Sequence, residues 1–251
     1  MWTFRKSNFS TQTETAKMIN WQDIKVSADS SHFTFNGKLI FDKKFIEVLK
    51  YHSPGLAAVQ DESGSYHIDI FGNALYVERY KRTFGFYCNR ATVVQNERSF
   101  HITEKGIRAY STSFLWCGNF QENLCSVRDS KNNYFHIDLN GEKIYSQIFL
   151  YVGDFKDGIA CVKIANGFYK HIDVYGNFIN DKEFYDLGIF HKNFATAKDK
   201  KGWHHIDKYG NELYPQRFQM IEPFYNGFAV VDTFDNNKLI IDENGKIILE
   251  F

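Results

Sequence analysis

Apolar and polar positions alternate along short stretches of this chain, and the alternation stops at glycine or asparagine every few residues. In "YFHID" (134–138) the alternation sends Phe135 and Ile137 to one face of an extended strand and His136 and Asp138 to the other. "IACVK" (159–163) reads as a second strand, and "EKIYSQIF" (142–149) as an aromatic-rich segment that returns towards the next strand. A period of 3.6 is hard to find. Short alternating runs rich in aromatic and β-branched residues predict an all-β chain, with one face of each strand forming the core. Ile68, Ile102, Ile137, Ile172, Ile206 and Ile241 hold the inward position, with Phe33 in their place at the start.

These strands recur on a ruler. His32, His67, His101, His136, His171 and His205 stand 34 or 35 residues apart, and Ile240 takes the seventh place. Five residues after each comes a glycine: Gly37, Gly72, Gly106, Gly141, Gly176, Gly210 and Gly245. Eight residues further on the side chain is aromatic at Phe45, Tyr80, Phe114, Phe149, Phe184 and Phe218. A further position, Gly55, Asn89, Asn123, Gly158, Asn193 or Gly227, favours positive φ and marks a turn before an "x-A-x-V" strand. A fixed period of this length is the signature of a solenoid or propeller.

The pattern predicts a single repeat domain over 1–251, with seven tandem β-repeats over 20–251 and a polar N-terminal arm or cap over 1–19. A closed seven-bladed β-propeller-like ring is preferred to an open β-solenoid, because closure removes exposed sheet edges. "GKIILEF" stops midway through a unit, so strands from both termini are expected to complete the last one.

The repeated polar residues read as structural. In an Asp-x-x-Gly hairpin the carboxylate accepts a backbone N–H two residues on, a role open to Asp69, Asp138, Asp173, Asp207 and Asp242 and, more weakly, to Thr34 and Thr103. The histidines read as half-buried imidazoles bonded to a neighbouring strand or the next unit. The alternative is a ring of histidines around a metal or an anion. Equivalent positions in successive units stand too far apart to share an ion at about 2.1 Å unless they converge on an axis, so no metal and no cofactor is expected. Phosphate-binding glycine loops, a nucleophile elbow and a zinc-protease motif are all absent from the sequence, and no catalytic residue is assigned.

Charge narrows the partners. Thirty basic and thirty acidic residues in a chain of 251 give no net field, which argues against nucleic acid or an anionic membrane surface as partner. The four cysteines show no Cys-x-x-Cys spacing, and the first residues lack the apolar stretch of a secretion signal. The expected location is cytoplasmic, with leaderless secretion left open.

The phrase "F-x-x-G-x-A-x-V … H-I-D-x-x-G … Y … R-F", clearest in 154–177, 202–218 and 222–231, resembles the WG-repeat family of bacterial β-hairpin repeats over about residues 32–251. Two features depart from it: Gly202 precedes Trp203, reversing the signature order, and histidine stands where the family is more often apolar. The resemblance implies a β-hairpin array serving as an accessory or interaction region.

Function is then sought where units differ. The residue before each repeat glycine is aromatic at Phe71, Tyr175 and Tyr209, where an exposed hairpin tip gains little from a ring unless a partner covers it. These three are the candidate binding residues. The leading expectation is a non-catalytic platform for a protein partner. A carbohydrate or small-ligand binder comes second, and an enzyme built on a His/Asp cluster last.

Overall fold

The computed structural model describes residues 19–251, so all but the last residue of the expected arm over 1–19 lies outside the described residues. Apart from a single 3-10 turn at Trp21–Asp23, the regular structure of the described residues is all strand. Among the described residues, seven antiparallel sheets of three or four strands follow one another along the chain. The chain divides into two compact units, with the boundary between Asn119 and Phe120.

The first unit holds sheets of β1 (Lys25–Val26), β2 (Phe33–Phe35) and β3 (Lys38–Leu39), of β4 (Glu47–Val48), β5 (Ala57–Asp61) and β6 (Gly64–Ile68), and of β7 (Arg82–Tyr87), β8 (Arg90–Gln95) and β9 (Arg98–Ile102). It ends with β10 (Trp116–Cys117). The second unit opens with the hairpin of β11 (Cys125–Arg128) and β12 (Tyr134–Ile137). Two three-stranded sheets follow: β13 (Tyr151–Val152), β14 (Ile159–Lys163) and β15 (Tyr169–Asp173), then β16 (Asp186–Leu187), β17 (Ala195–Asp199) and β18 (Gly202–Ile206). The last sheet has four strands: β19 (Met220–Ile221), β20 (Phe228–Asp232), β21 (Lys238–Asp242) and β22 (Ile247–Glu250). Among the described residues it is built from 220–250 alone, and residues 1–18 of the N-terminal segment expected to help complete it lie outside them.

Register explains why the repeats pack. A small residue faces each core isoleucine across the hairpin: Ala57 opposite Ile68, Ala91 opposite Ile102, Cys125 opposite Ile137, Ala160 opposite Ile172, Ala195 opposite Ile206 and Ala229 opposite Ile241. All twelve are buried. Small against large keeps the pair volume nearly constant from one hairpin to the next.

The other face differs from a simple inside-and-outside reading. His67, His101, His136, His171 and His205 are as buried as the isoleucines. Their cross-strand neighbours are small as well: Ala58, Thr92, Ser126, Cys161 and Thr196. Each of these central strands is therefore covered on both faces.

The segment after each of β6, β9, β12, β15 and β18 runs back along that strand and pairs with it as a β-ladder at two isolated bridges. For β15 these are Ile172 with Phe178 and Tyr169 with Phe184. Between them the chain leaves the ladder, and this stretch carries the residue nine positions after the histidine.

Candidate functional site

The Asp-x-x-Gly turns take the expected form. Asp69, Asp138, Asp173, Asp207 and Asp242 each accept the backbone N–H two residues on and the N–H four residues on, at 2.8–2.9 Å. Threonine does not reproduce this: the Thr103 hydroxyl is buried without a hydrogen-bond partner, and that turn closes through Gly106 N–H to Thr103 C=O and Thr103 N–H to Ile107 C=O. The Thr34 hairpin is closed differently, by a two-residue Asn36-Gly37 turn with φ of 49° and 74°.

The buried histidines work as staples between sheets. Nε2–H donates to the backbone C=O seventeen residues on: Phe84 for His67 (2.7 Å), Gly118 for His101 (3.2 Å), Gly153 for His136 (2.7 Å), Gly188 for His171 (2.8 Å) and Glu222 for His205 (2.9 Å). A carbonyl only accepts, so the proton sits on Nε2 and Nδ1 is left as an acceptor. The hydroxyl of a tyrosine nine residues on fills it: Tyr76, Tyr110, Tyr145 and Tyr214 bond to His67, His101, His136 and His205. At His171 the ninth residue is Asn180, and Nδ1 is buried without a partner. The rings of His67, His136, His171 and His205 also lie 3.8–4.5 Å from Phe86, Phe155, Phe190 and Phe224. Burial holds all five histidines down to about pKa 4, neutral at ordinary pH.

His32 stands apart. It is only half-buried, its Nδ1 lies 2.9 Å from Ser31 Oγ, and its ninth residue is Phe41. Ile240 replaces histidine in the last sheet, where that face is half-exposed at Val230 and Ile240.

The tyrosines give the repeat glycines a second duty. At Gly176, with φ of +80°, a Cβ would meet Tyr145 Cγ at 2.7 Å. The tyrosine of one repeat thus lies flat on the glycine turn of the next, an approach only glycine permits. The repeated polar residues are consumed by this framework. Among the described residues no group of three His, Cys, Asp or Glu side chains is placed to hold a metal.

The hairpin-tip aromatics lie outside it. Phe71 is 52% exposed, Tyr175 73% and Tyr209 63%, so none of the rings is tucked beneath its own hairpin. Phe71 belongs to the first unit and the two tyrosines to the second, at the same end of consecutive sheets. That end also carries the turns that enter β17 and β20, because Ala195 pairs with Ile206 and Phe228 with Asp242. There His191 and Tyr225 stack at 5.4 Å with 23° between ring planes, and Tyr225 is 72% exposed. Reading of the hairpin tips alone missed this pair. Its signal is the position twenty residues past each histidine, which also pairs His52 with Tyr87 at 4.5 Å in the first unit. Lys208 Nζ lies 5.1 Å from the Tyr209 ring centre, adding positive charge to the rim.

Among the described residues, the opposite end of the sheets carries shallow depressions at equivalent places in different repeats. One, about 490 Å³, is lined by Lys44, Phe45, Ile46, Asp61, Glu62 and Ser63, and others adjoin Asp186 with Lys198 and Met220 with Asp232. They are open and mixed in polarity, unlike the enclosed apolar clefts that hold small molecules.

Residues 206–236 match the family model described as WG containing repeat. The matched WG repeat begins at the end of β18, passes through Tyr214 and Phe218, and ends in the turn after β20. The spacing from isoleucine to glycine to aromatic seen in this stretch recurs along the chain.

No curated protein matches significantly. Among solved structures, the chain is similar to a eukaryotic initiation factor (TM-score 0.57, 12% identity, 91% of this chain and 73% of that one). It is also similar to the computationally designed protein Ika8 (0.53, 12%, 91% and 83%) and to BamB from Moraxella catarrhalis (0.52, 11%, 88% and 76%). At these identities the likeness concerns fold alone: an all-β, propeller-like succession of sheets. Among the described residues, no helix is long and apolar enough to cross a membrane.

Proposed function

We propose that this WG-repeat chain is a non-catalytic interaction module, a rigid platform that presents exposed hairpin aromatics to a protein partner. The observation that carries this reading is the contrast between the pinned turn backbone and the bare rings of Tyr175 and Tyr209. Asp173 and Asp207 hold each turn by two hydrogen bonds, while the rings they present are 73% and 63% exposed. A large amphipathic ring on a fixed backbone loses little entropy on binding, which is why such rings dominate interface energetics. The repeated histidines and carboxylates are engaged in holding sheets and turns, which supports a platform over a reaction centre.

The test is affinity capture from native lysate of the source organism, with the wild-type chain and with the Phe71→Ala, Tyr175→Ala, Tyr209→Ala triple variant as baits. One dominant protein recovered by the wild type and lost from the variant is expected; equal recovery by both removes these rings from the interface. A glycan array run alongside separates the alternative, since hits there with no protein recovered would replace the protein partner by a carbohydrate.

A further inference from the structure

The turns that enter β14, β17 and β20 are built alike. Both central residues take positive φ: 52° and 73° at Asp157 and Gly158, 48° and 77° at Lys192 and Asn193, 51° and 84° at Asn226 and Gly227. Two successive backbone N–H groups in such a turn form a small concavity suited to an anion. In the Asp157–Gly158 turn that concavity is filled. Glu122 brings Oε1 to 2.6 Å from the Asp157 nitrogen and Oε2 to 2.9 Å from the Gly158 nitrogen, one oxygen for each N–H. The turn therefore fits a planar carboxylate.

Glu122, Asp157, Lys192 and Asn226 hold one place in successive repeats, each twenty-one residues past its histidine or, for Asn226, past His205. The next two turns lack the glutamate that serves Asp157. Asp157 precedes the Lys192–Asn193 turn, but its side chain is one methylene shorter and lies 3.7 Å from Lys156 Nζ. Lys192 precedes the Asn226–Gly227 turn, so there a cation replaces the acid. Neither the Asn226 nor the Gly227 N–H has an acceptor among the described residues, although Glu243 Oε1 comes within 3.9 Å of the position a Gly227 Cβ would take. Resting on the platform reading above, we propose that the Asn226–Gly227 turn is a carboxylate-binding site that takes an aspartate or glutamate side chain of the protein partner. Each N–H donates to one oxygen, as the Asp157 and Gly158 N–H groups do to Glu122, and the Lys192 ammonium offsets the charge. Tyr225, exposed and stacked on His191, stands beside the turn and supplies the apolar part of the contact.

Amide resonances of the nitrogen-15-labelled full chain, followed while N-acetylglutamate amide is added to about 100 mM at low salt, test the site. The Asn226 and Gly227 amides should shift saturably, and those of Asp157 and Gly158, already occupied, should stay. The neutral N-acetylglutamine amide should move none of them. Lys192→Gln should weaken the titration about two- to fivefold, and Glu243→Gln, which removes an opposing charge, should tighten it by a similar factor. Lys192→Glu rebuilds the arrangement made by Glu122: it should move the Asn226 and Gly227 amides with no probe present and leave them unresponsive to it. The spectrum itself shows that each variant is folded. Wild-type amides that stay still, an equal response to the glutamine compound, tighter binding of inorganic phosphate, or a Lys192→Glu chain that titrates like wild type would each overturn the proposal. So would a partner captured from lysate as well by Lys192→Glu as by wild type, an outcome that leaves the platform reading intact. Amides that titrate as expected while lysate capture yields no protein would instead remove the platform reading and leave the carboxylate site standing.

Discussion

Tyr145→Phe isolates the histidine staple more cleanly than any histidine replacement. The ring stays, and with it the packing over Gly176 and the edge contact with Phe149 at 6.0 Å and 74°. Only the O–H that His136 Nδ1 accepts is removed. Because Nε2 is committed to the Gly153 carbonyl, the imidazole cannot turn its other nitrogen into a donor without losing that bond. A buried acceptor left without a donor costs about 1–3 kcal/mol. In a chain of this size each kcal/mol moves the melting point by about 2–4 °C.

His171 offers the reverse experiment inside the same molecule. Its Nδ1 is already orphaned opposite Asn180, so Asn180→Tyr should supply the missing donor and add about 1 kcal/mol, provided the ring lies over Gly210 as its counterparts lie over their glycines. Asn180→Phe, with the ring and no hydroxyl, separates packing from the hydrogen bond. Urea unfolding followed by near-ultraviolet circular dichroism gives the stabilities, and hydrogen exchange at the amides of 134–137 and 169–173 shows whether the effect is local. The reasoning fails if Tyr145→Phe lies within about 0.3 kcal/mol of wild type, below the cost of any buried orphan, or if Asn180→Tyr and Asn180→Phe are indistinguishable.

Acid should open the fold early. A buried histidine at about pKa 4, against 6.5 when unfolded, favours the folded state fully above pH 6.5. That contribution falls as the unfolded chain takes up the proton first, by about 3 kcal/mol per residue down to pH 4. Five such residues together reach about the upper end of the usual 5–15 kcal/mol total, so cooperative unfolding is expected between pH 6.5 and 4; intact near-ultraviolet dichroism at pH 3.5 would contradict it. A second prediction concerns cation–π pairs that exchange places between repeats. Lys143 sits 4.0 Å over Phe135, and in the next repeat Lys170 sits 4.4 Å over Phe178 with the roles reversed between strands. Phe178→Lys alone should cost about 1–2 kcal/mol by setting two ammonium groups side by side, and adding Lys170→Phe should recover most of it, as read by a double-mutant cycle in urea; additive losses would show that the pair does not couple.

The repeat was legible because its strongest columns obey backbone rules. Glycine at a positive-φ turn and aspartate two residues before a backbone donor are local requirements, met within five residues of chain, and they hold wherever Asp-x-x-Gly occurs. The isoleucine column was equally plain, since alternation alone sends it inward. Thr103 shows the limit of such local reasoning: a hydroxyl with the right chemistry makes no capping bond in its turn. The tyrosine column stood in the sequence, four residues past the glycines at Tyr76, Tyr110, Tyr145 and Tyr214, yet nothing local explains it. Its partners are a histidine on the preceding strand and a glycine of the following repeat.

Sequence by itself determined an all-β chain of seven repeats, where each repeat turns and which residues fill its interior, because φ preference and alternation act over a few residues. It also singled out Phe71, Tyr175 and Tyr209 as tip aromatics, though not that their rings stand clear of the surface. Only the tertiary structure decided that the histidine face is as dry as the isoleucine face, which way each imidazole holds its proton, and that His191 meets Tyr225. Those outcomes depend on which groups are brought together from 9 to 34 residues apart, and such distances are set by the stacking of sheets rather than by any stretch of chain.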